Sequence, residues 1–308
     1  MKKNIDRIIP QPAAPGMVGD GFRVYNYIPG NGHPDSSTDM HTIPQQRISP
    51  FLMLDFAAEI DFPPSDRVRG VGVHPHKGFE TVTIAYKGSV AHHDSAGNSG
   101  VVHPGDVQWM TAGAGLLHKE YHEENWSKKG GPFEMVQLWV NLPKKDKLTK
   151  PHYQAITADE ITKLELPDGA GTVNVIAGTL NVGANGAGPK TVTGPAQTYT
   201  PVVAANLKLN AGAQFTTSTP ANYNTALLLI KGSAEVNGQA APNHSFVLFE
   251  NKGEEITVKA NEDTIALLLS GEPINEPIVS YGPFVMNTKE EIMESIREAQ
   301  TGKFGILK

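Results

Sequence analysis

Two short pairs of residues constrain this chain more than any other feature. His74 and His76 in H-P-H are two residues apart, and His118 and Glu120 in L-L-H-K-E-Y-H repeat the spacing. On a β-strand, residues i and i+2 point to one face, so each pair projects together if its segment is a strand. The residues after the first pair extend that reading. Glu80, Val82 and Ile84 continue the parity of His74 and His76, with Phe79, Thr81 and Thr83 on the other side. Two such strands side by side in a small barrel bring three imidazoles and one carboxylate together, which makes a metal site. A single H-x-H is common and usually belongs to a core or a surface. Two parity-matched pairs separated by hairpin signals rise well above that background.

The set suits a divalent first-row metal. Imidazole is a borderline ligand, one carboxylate removes part of the charge, and the 308 residues include no cysteine to supply a thiolate. Affinity alone does not choose between iron(II), manganese, nickel, copper and zinc. The lack of cysteine also excludes disulfides, thiol nucleophiles and sulfur-ligated clusters. A net charge of -6 argues against direct nucleic-acid binding, and Lys144-Lys145-Asp146-Lys147 reads as a solvated loop. The N-terminus lacks the apolar run of a secretory signal, and no stretch approaches ~18 consecutive apolar residues. The expectation is a cytoplasmic protein with no membrane segment.

Length alone predicts two domains. Residues 1–50 are rich in Pro, Gly and Asp; Phe22–Ile28 reads as an edge strand, followed by a long loop in which His33 and His41 serve solvation. Phe51–Phe56 is a buried strand. Short strands then follow one another, closed by Lys87-Gly88-Ser89, Ser95-Ala96-Gly97-Asn98 and Pro104-Gly105-Asp106, the signature of a sandwich or barrel. Tandem His92 and His93 must face opposite ways, so at most one looks into a pocket. His122 shares the parity of His118 and Glu120 and is expected near the site. Phe79, Trp109 and Met110 can line the site only from inward-facing positions. The stretch from Pro143 to about Gly171 reads as inter-domain, with one helical turn expected over Asp159–Leu164.

The second half repeats the first. Tyr86–Val90 (Y-K-G-S-V) overlays Ile230–Ala234 (I-K-G-S-A), a duplication that puts His74 on Ser218, His76 on Pro220, Glu80 on Asn224 and the second pair near Ile256 and Val258. Every ligand position has lost its ligand, so the second barrel is structural or modulatory. The C-terminus changes period: Thr288 with Glu291 is a capping-box signal, and Ile292, Ile296 and Ala299 follow at helical spacing.

Several runs together resemble the pirin family of the cupin superfamily. They are H-P-H-K-G-F-E-T-V (His74–Val82), D-S-A-G-N-S-G (Asp94–Gly100), P-G-D-V-Q-W-M-T-A-G-A-G-L-L-H-K-E (Pro104–Glu120), Q-L-W-V-N-L-P (Gln137–Pro143) and Y-G-P-F-V-M-N-T-K-E-E-I (Tyr281–Ile292). The resemblance spans nearly the whole chain. It implies an all-β bicupin: a metal-binding jelly-roll barrel over 1–145, a linker over 146–171, and a second barrel without ligands over 172–308 that ends in a short helix. Carried over by position, the family's ligands fall on His74, His76, His118 and Glu120, holding Fe2+ in first place. The general cupin carboxylate falls on Glu80, kept as a supporting residue.

The resemblance further implies a dioxygenase of the quercetin 2,3-dioxygenase kind. Such an enzyme takes a flavonol-like substrate and O2 and releases carbon monoxide, with Glu120 or a nearby carboxylate accepting the substrate proton. The other implied reading is an iron-dependent, redox-sensing protein that docks a regulatory protein partner.

Overall fold

The computed structural model describes residues 1–28, 43–184 and 187–307; His33 and His41 lie outside these. Among the described residues the chain forms two compact units. One comprises Pro12–Ala158 with Ile274–Lys308, and the other Met1–Gln11 with Asp159–Pro273. No described helix is long and apolar enough to cross a membrane.

The first unit carries the histidine pairs. Its larger sheet orders the strands His152–Ile156, Val107–Thr111, Phe79–Lys87, Gly131–Asn141, Phe51–Phe62, Phe22–Ile28 and Gly16–Val18. Its smaller sheet orders Gly70–His76, Leu116–His122, Val90–Asp94 and Ser99–Val102. Every adjacent pair is antiparallel, and the Gly- and Pro-marked turns fall between strands as their composition requires. From Phe79 to Ala85 every residue is buried, so this strand has no solvent face.

The second unit has the same plan. Its larger sheet orders Ile5–Ile9, Phe246–Phe249, Asn224–Lys231, Thr264–Gly271, Val202–Leu209, Gly171–Ala177 and Thr162–Glu165. The smaller one contains Gln214–Ser218, Glu255–Ala260, Ala234–Val236 and Gln239–Ala241 in the order of the first unit, plus Thr179–Ala184 and Ala187–Thr193. Between its sheets lies an apolar core that includes Leu207, Phe215, Leu227, Leu229, Val247, Ile256, Val258 and Leu268. Each such side chain contributes roughly 1.5–3 kcal/mol relative to exposure. The duplication holds, with Ile256 and Val258 at the places of His118 and Glu120; opposite Ile256 stands Thr217, so the His74 position falls on Thr217 rather than on Ser218.

The partition expected at 1–145, 146–171 and 172–308 differs from these units at three places. Ile5–Ile9 pairs with Phe246–Phe249, so the N-terminal segment completes the second barrel. The segment from Ile274 onward belongs to the first unit. Residues 146–171 are not a free linker: His152–Ile156 extends the first larger sheet and Thr162–Glu165 the second. The helical turn expected over Asp159–Leu164 is therefore absent; β-pairing of Thr162 with Val175 outweighs the acidic start. The C-terminal helix Lys289–Gln300 forms with both arms of the capping box, the Glu291 amide donating to Thr288 Oγ1 and the Thr288 amide to Glu291 Oε2.

Candidate metal centre

Antiparallel pairing puts His118 directly opposite His74. With His76 two residues along, the three rings converge at centroid separations of 4.2 Å for His74–His118, 4.6 Å for His76–His118 and 4.8 Å for His74–His76. Their ligand nitrogens lie within 4.8 Å of one another, and a common ion at ~2.1 Å from each needs separations of about 3–4 Å. His118 is fully buried, His76 is buried and His74 is half-buried. Burial, and then the neighbouring imidazoles, hold His76 and His118 well below the usual histidine range. They are neutral, the form that binds a metal. His74 Nδ1 lies 2.8 Å from the Gly72 carbonyl, so as donor there it leaves Nε2 toward the cluster. The Pro283 carbonyl acts on His76 as a partial acceptor, short of a well-formed bond to Nδ1.

Glu120 enters through a second group, in which its carboxylate, His92 and His118 also lie within 4.8 Å of one another. The bulge opposite them lies on Gly70–His76, where Val71 rather than Gly72 stands opposite Glu120; Leu116–His122 itself pairs unbroken with Val90–Asp94, so His118 and Glu120 keep one face, with Glu120 opposite His92. The sequence pattern therefore brings the three imidazoles into one group, with Glu120 adjoining it through His118. Thr83 Oγ1 lies 3.2 Å from Glu120 Oε1 and 2.9 Å from Gln137 Oε1. Phe79 packs on His76 at 5.1 Å and Trp139 at 5.3 Å.

Those contacts overturn the expected parity. Glu80, Val82 and Ile84 do not continue the face of His74 and His76; Phe79 and Thr83 do. The chain leaves one sheet for the other through Lys77-Gly78, and Gly78 takes φ +88 with no room for a Cβ, which would sit 2.0 Å from the Val285 carbonyl oxygen. Parity is conserved only along an unbroken strand. Glu80 thus lies on the opposite face of the larger sheet, paired with Thr111, whose hydroxyl donates to it at 2.8 Å. Burial pushes its carboxyl up to about 7 against the opposing hydrogen bond from Thr111. Trp109 shares the Glu80 face, opposite Val82, whereas Met110 lies opposite Thr81.

Of the tandem pair, His92 turns in and is fully buried, while His93 turns out to stack on Tyr121. His122 is not near the cluster's nitrogens. Its Nε2–H donates to the Gly21 carbonyl at 2.9 Å, and the ring sits among Phe22, Phe62, Trp126 and Phe133. Sequence reasoning passed over Thr83, Gln108 and Gln137. Their signal was a polar side chain inside otherwise apolar strand runs.

The family model Pirin matches residues 34–140, and the Pirin C-terminal cupin domain matches residues 204–305. A solved structure of quercetin 2,3-dioxygenase from Acinetobacter baumannii is 42% identical, with a TM-score of 0.86 and 99% of each chain covered. A Pseudomonas aeruginosa relative, provisionally named a quercetin 2,3-dioxygenase, is 44% identical over 275 residues, 89% of this chain and 93% of its own. Human Pirin is 36% identical over 268 residues, 84% of each chain. With two barrels of one plan and family matches in both, the chain belongs to the pirin family of bicupin proteins.

Proposed function

We propose that His74, His76, His118 and Glu120 hold one divalent metal, iron(II) in first place, and that the protein is a dioxygenase opening the ring of a flavonol such as quercetin. The observation that carries the metal reading is the convergence of three imidazoles, two of them buried and neutral, beside a single buried carboxylate. His118 Nε2 is buried without a hydrogen-bond partner, an arrangement that is costly unless something accepts its lone pair. Likeness to the named dioxygenases supports the reaction.

A metal bound there supplies Lewis-acid activation of an enolic oxygen and redox contact with dioxygen. The chain's own residues do the rest. Glu120 accepts the substrate's hydroxyl proton on a carboxylate oxygen, and the Thr83 hydroxyl, donating to Oε1, fixes which way that carboxylate points. Phe79 and Trp139, in ring contact at 4.2 Å, give an apolar wall against which a flat aromatic substrate packs and from which water is excluded. The half-buried residues His74, Gln137 and Trp139 mark the side open to solvent.

Metal analysis of protein purified without chelators, followed by oxygen uptake with quercetin, tests this. His118→Ala is expected to lose both metal and uptake. Glu120→Gln separates two roles. A proton acceptor loses turnover about 10²–10⁴-fold even after metal is restored, whereas a simple ligand loses affinity and activity together. Fully iron-loaded protein that consumes no oxygen with quercetin removes the flavonol reading.

A further inference from the structure

His92 and Asp94 are not among the proposed ligands, yet they reach the centre through His118. Asp94 closes the hairpin after Val90–Asp94: its Oδ1 accepts from the amides of Ala96 and Asn98, both at 2.9 Å, and its Oδ2 accepts from Asn98 Nδ2 at 2.8 Å. The carboxylate is thereby fixed, and an ionised carboxylate can only accept. His92 Nε2 faces Oδ2 at 3.7 Å, an electrostatic approach rather than a hydrogen bond, and the ring is held there by stacking on Tyr153 at 5.3 Å and 18°. On the far side of the ring, His92 Nδ1 meets His118 Nδ1 at 3.5 Å.

For a neutral His92 these contacts have one proton assignment that suits the Asp94 carboxylate. A hydrogen on His92 Nε2 points at Asp94, which leaves a lone pair on His92 Nδ1. That lone pair accepts from His118 Nδ1–H, so His118 presents the lone pair of Nε2, which is buried and has no hydrogen-bond partner. We propose that Asp94 and His92 form a positioning relay that sets the tautomer of His118. Resting on the metal reading above, it gives His118 a side-chain partner where His74 has the Gly72 carbonyl. Second-sphere partners of this kind fix ring orientation and the basicity of the ligating nitrogen.

The test begins without metal. Nitrogen-15 NMR of the metal-free protein is expected to show His118 as the Nδ1–H tautomer. His92→Phe keeps the ring that stacks on Tyr153 but removes the acceptor, and is expected to shift His118 toward Nε2–H. Asp94→Asn is expected to act the same way, because an amide N–H facing His92 Nε2 reverses that ring's polarity. His92→Gln, whose side-chain oxygen can still accept, restores the wild-type tautomer in part. Iron(II) affinity should fall roughly 10- to 100-fold in His92→Phe.

A His118 tautomer that is Nε2–H in the wild type, or that neither substitution moves, overturns the relay. So does a metal-loaded structure with His92 on the metal. If the tautomers behave as expected while wild-type protein binds no metal, the relay stands and the metal reading falls.

Discussion

Lys147 is 2% exposed, and its ammonium donates to the Gly78 carbonyl at 2.8 Å, to Asn141 Oδ1 at 2.8 Å and to the Val285 carbonyl at 2.9 Å. All three acceptors are uncharged. Burial therefore lowers the Lys147 pKa to about 7, with Glu276 and Glu291 opposing. Between pH 7 and the unfolded value near 10.5, the folded state binds fewer protons than the unfolded one, so stability rises with pH across that window. We expect the unfolding free energy of the wild type to gain up to about 1 kcal/mol per pH unit over this range relative to Lys147→Met, measured by urea unfolding at several pH values. At pH 7 the substitution should cost about 2–4 kcal/mol, because it leaves the buried acceptors without a donor. A lysine in K-K-D-K reads as solvated because the three residues before it are all charged. Its burial follows from contacts with Gly78 and Val285, far away in the chain.

The C-terminal helix Lys289–Gln300 works as a brace rather than a cap on an unrelated surface. Glu298, buried although it lies outside the apolar stripe of Ile292, Ile296 and Ala299, pairs with Lys77 and Lys303. Lys77 is the residue after His76, and its amide donates to the Pro283 carbonyl at 3.3 Å. On the same side Phe304, together with Phe284, Met286 and Ile292, packs against Leu117, the residue before His118. The tail therefore holds both histidine strands at their ligand ends. Glu298→Ala is expected to destabilise the protein by about 3–5 kcal/mol, since it leaves the Lys77 ammonium buried and unpaired. Glu298→Leu combined with Lys77→Met should lose much less, and comparing the two in guanidinium unfolding separates the pair from the packing. At this scale the Lys77-Gly78 crossing between sheets is also what defeated parity counting from His76 to Glu80.

Over the whole molecule, one plan built twice yields two different interiors. In the first unit Gln108, Thr83, Gln137 and Asp55 lie opposite one another across four strands, and Thr83 joins that row to Glu120. In the second unit the corresponding row is Val247, Leu227, Leu268 and Ala205, all within its apolar core. Directly opposed residues share a face, so the first interior is polar where the second is packed and dry. We expect saturating iron(II) to load one ion per chain, and none in His118→Ala, as measured by metal analysis after desalting; a second equivalent would place a site outside the three-histidine cluster, and the described core of the second unit is apolar.

The sequence by itself determined the all-β class, the duplication, the vacancy of the second half and the three histidines, because each depends on local spacing or on residues simply being absent. Only the tertiary structure decided that Glu80 faces away and Thr83 toward the centre, that His92 and Asp94 stand behind His118, and that each chain end belongs with the opposite half. Those outcomes follow from strand pairing, bulges and sheet crossings. They are settled by which distant segments exclude water together, and no local pattern records that.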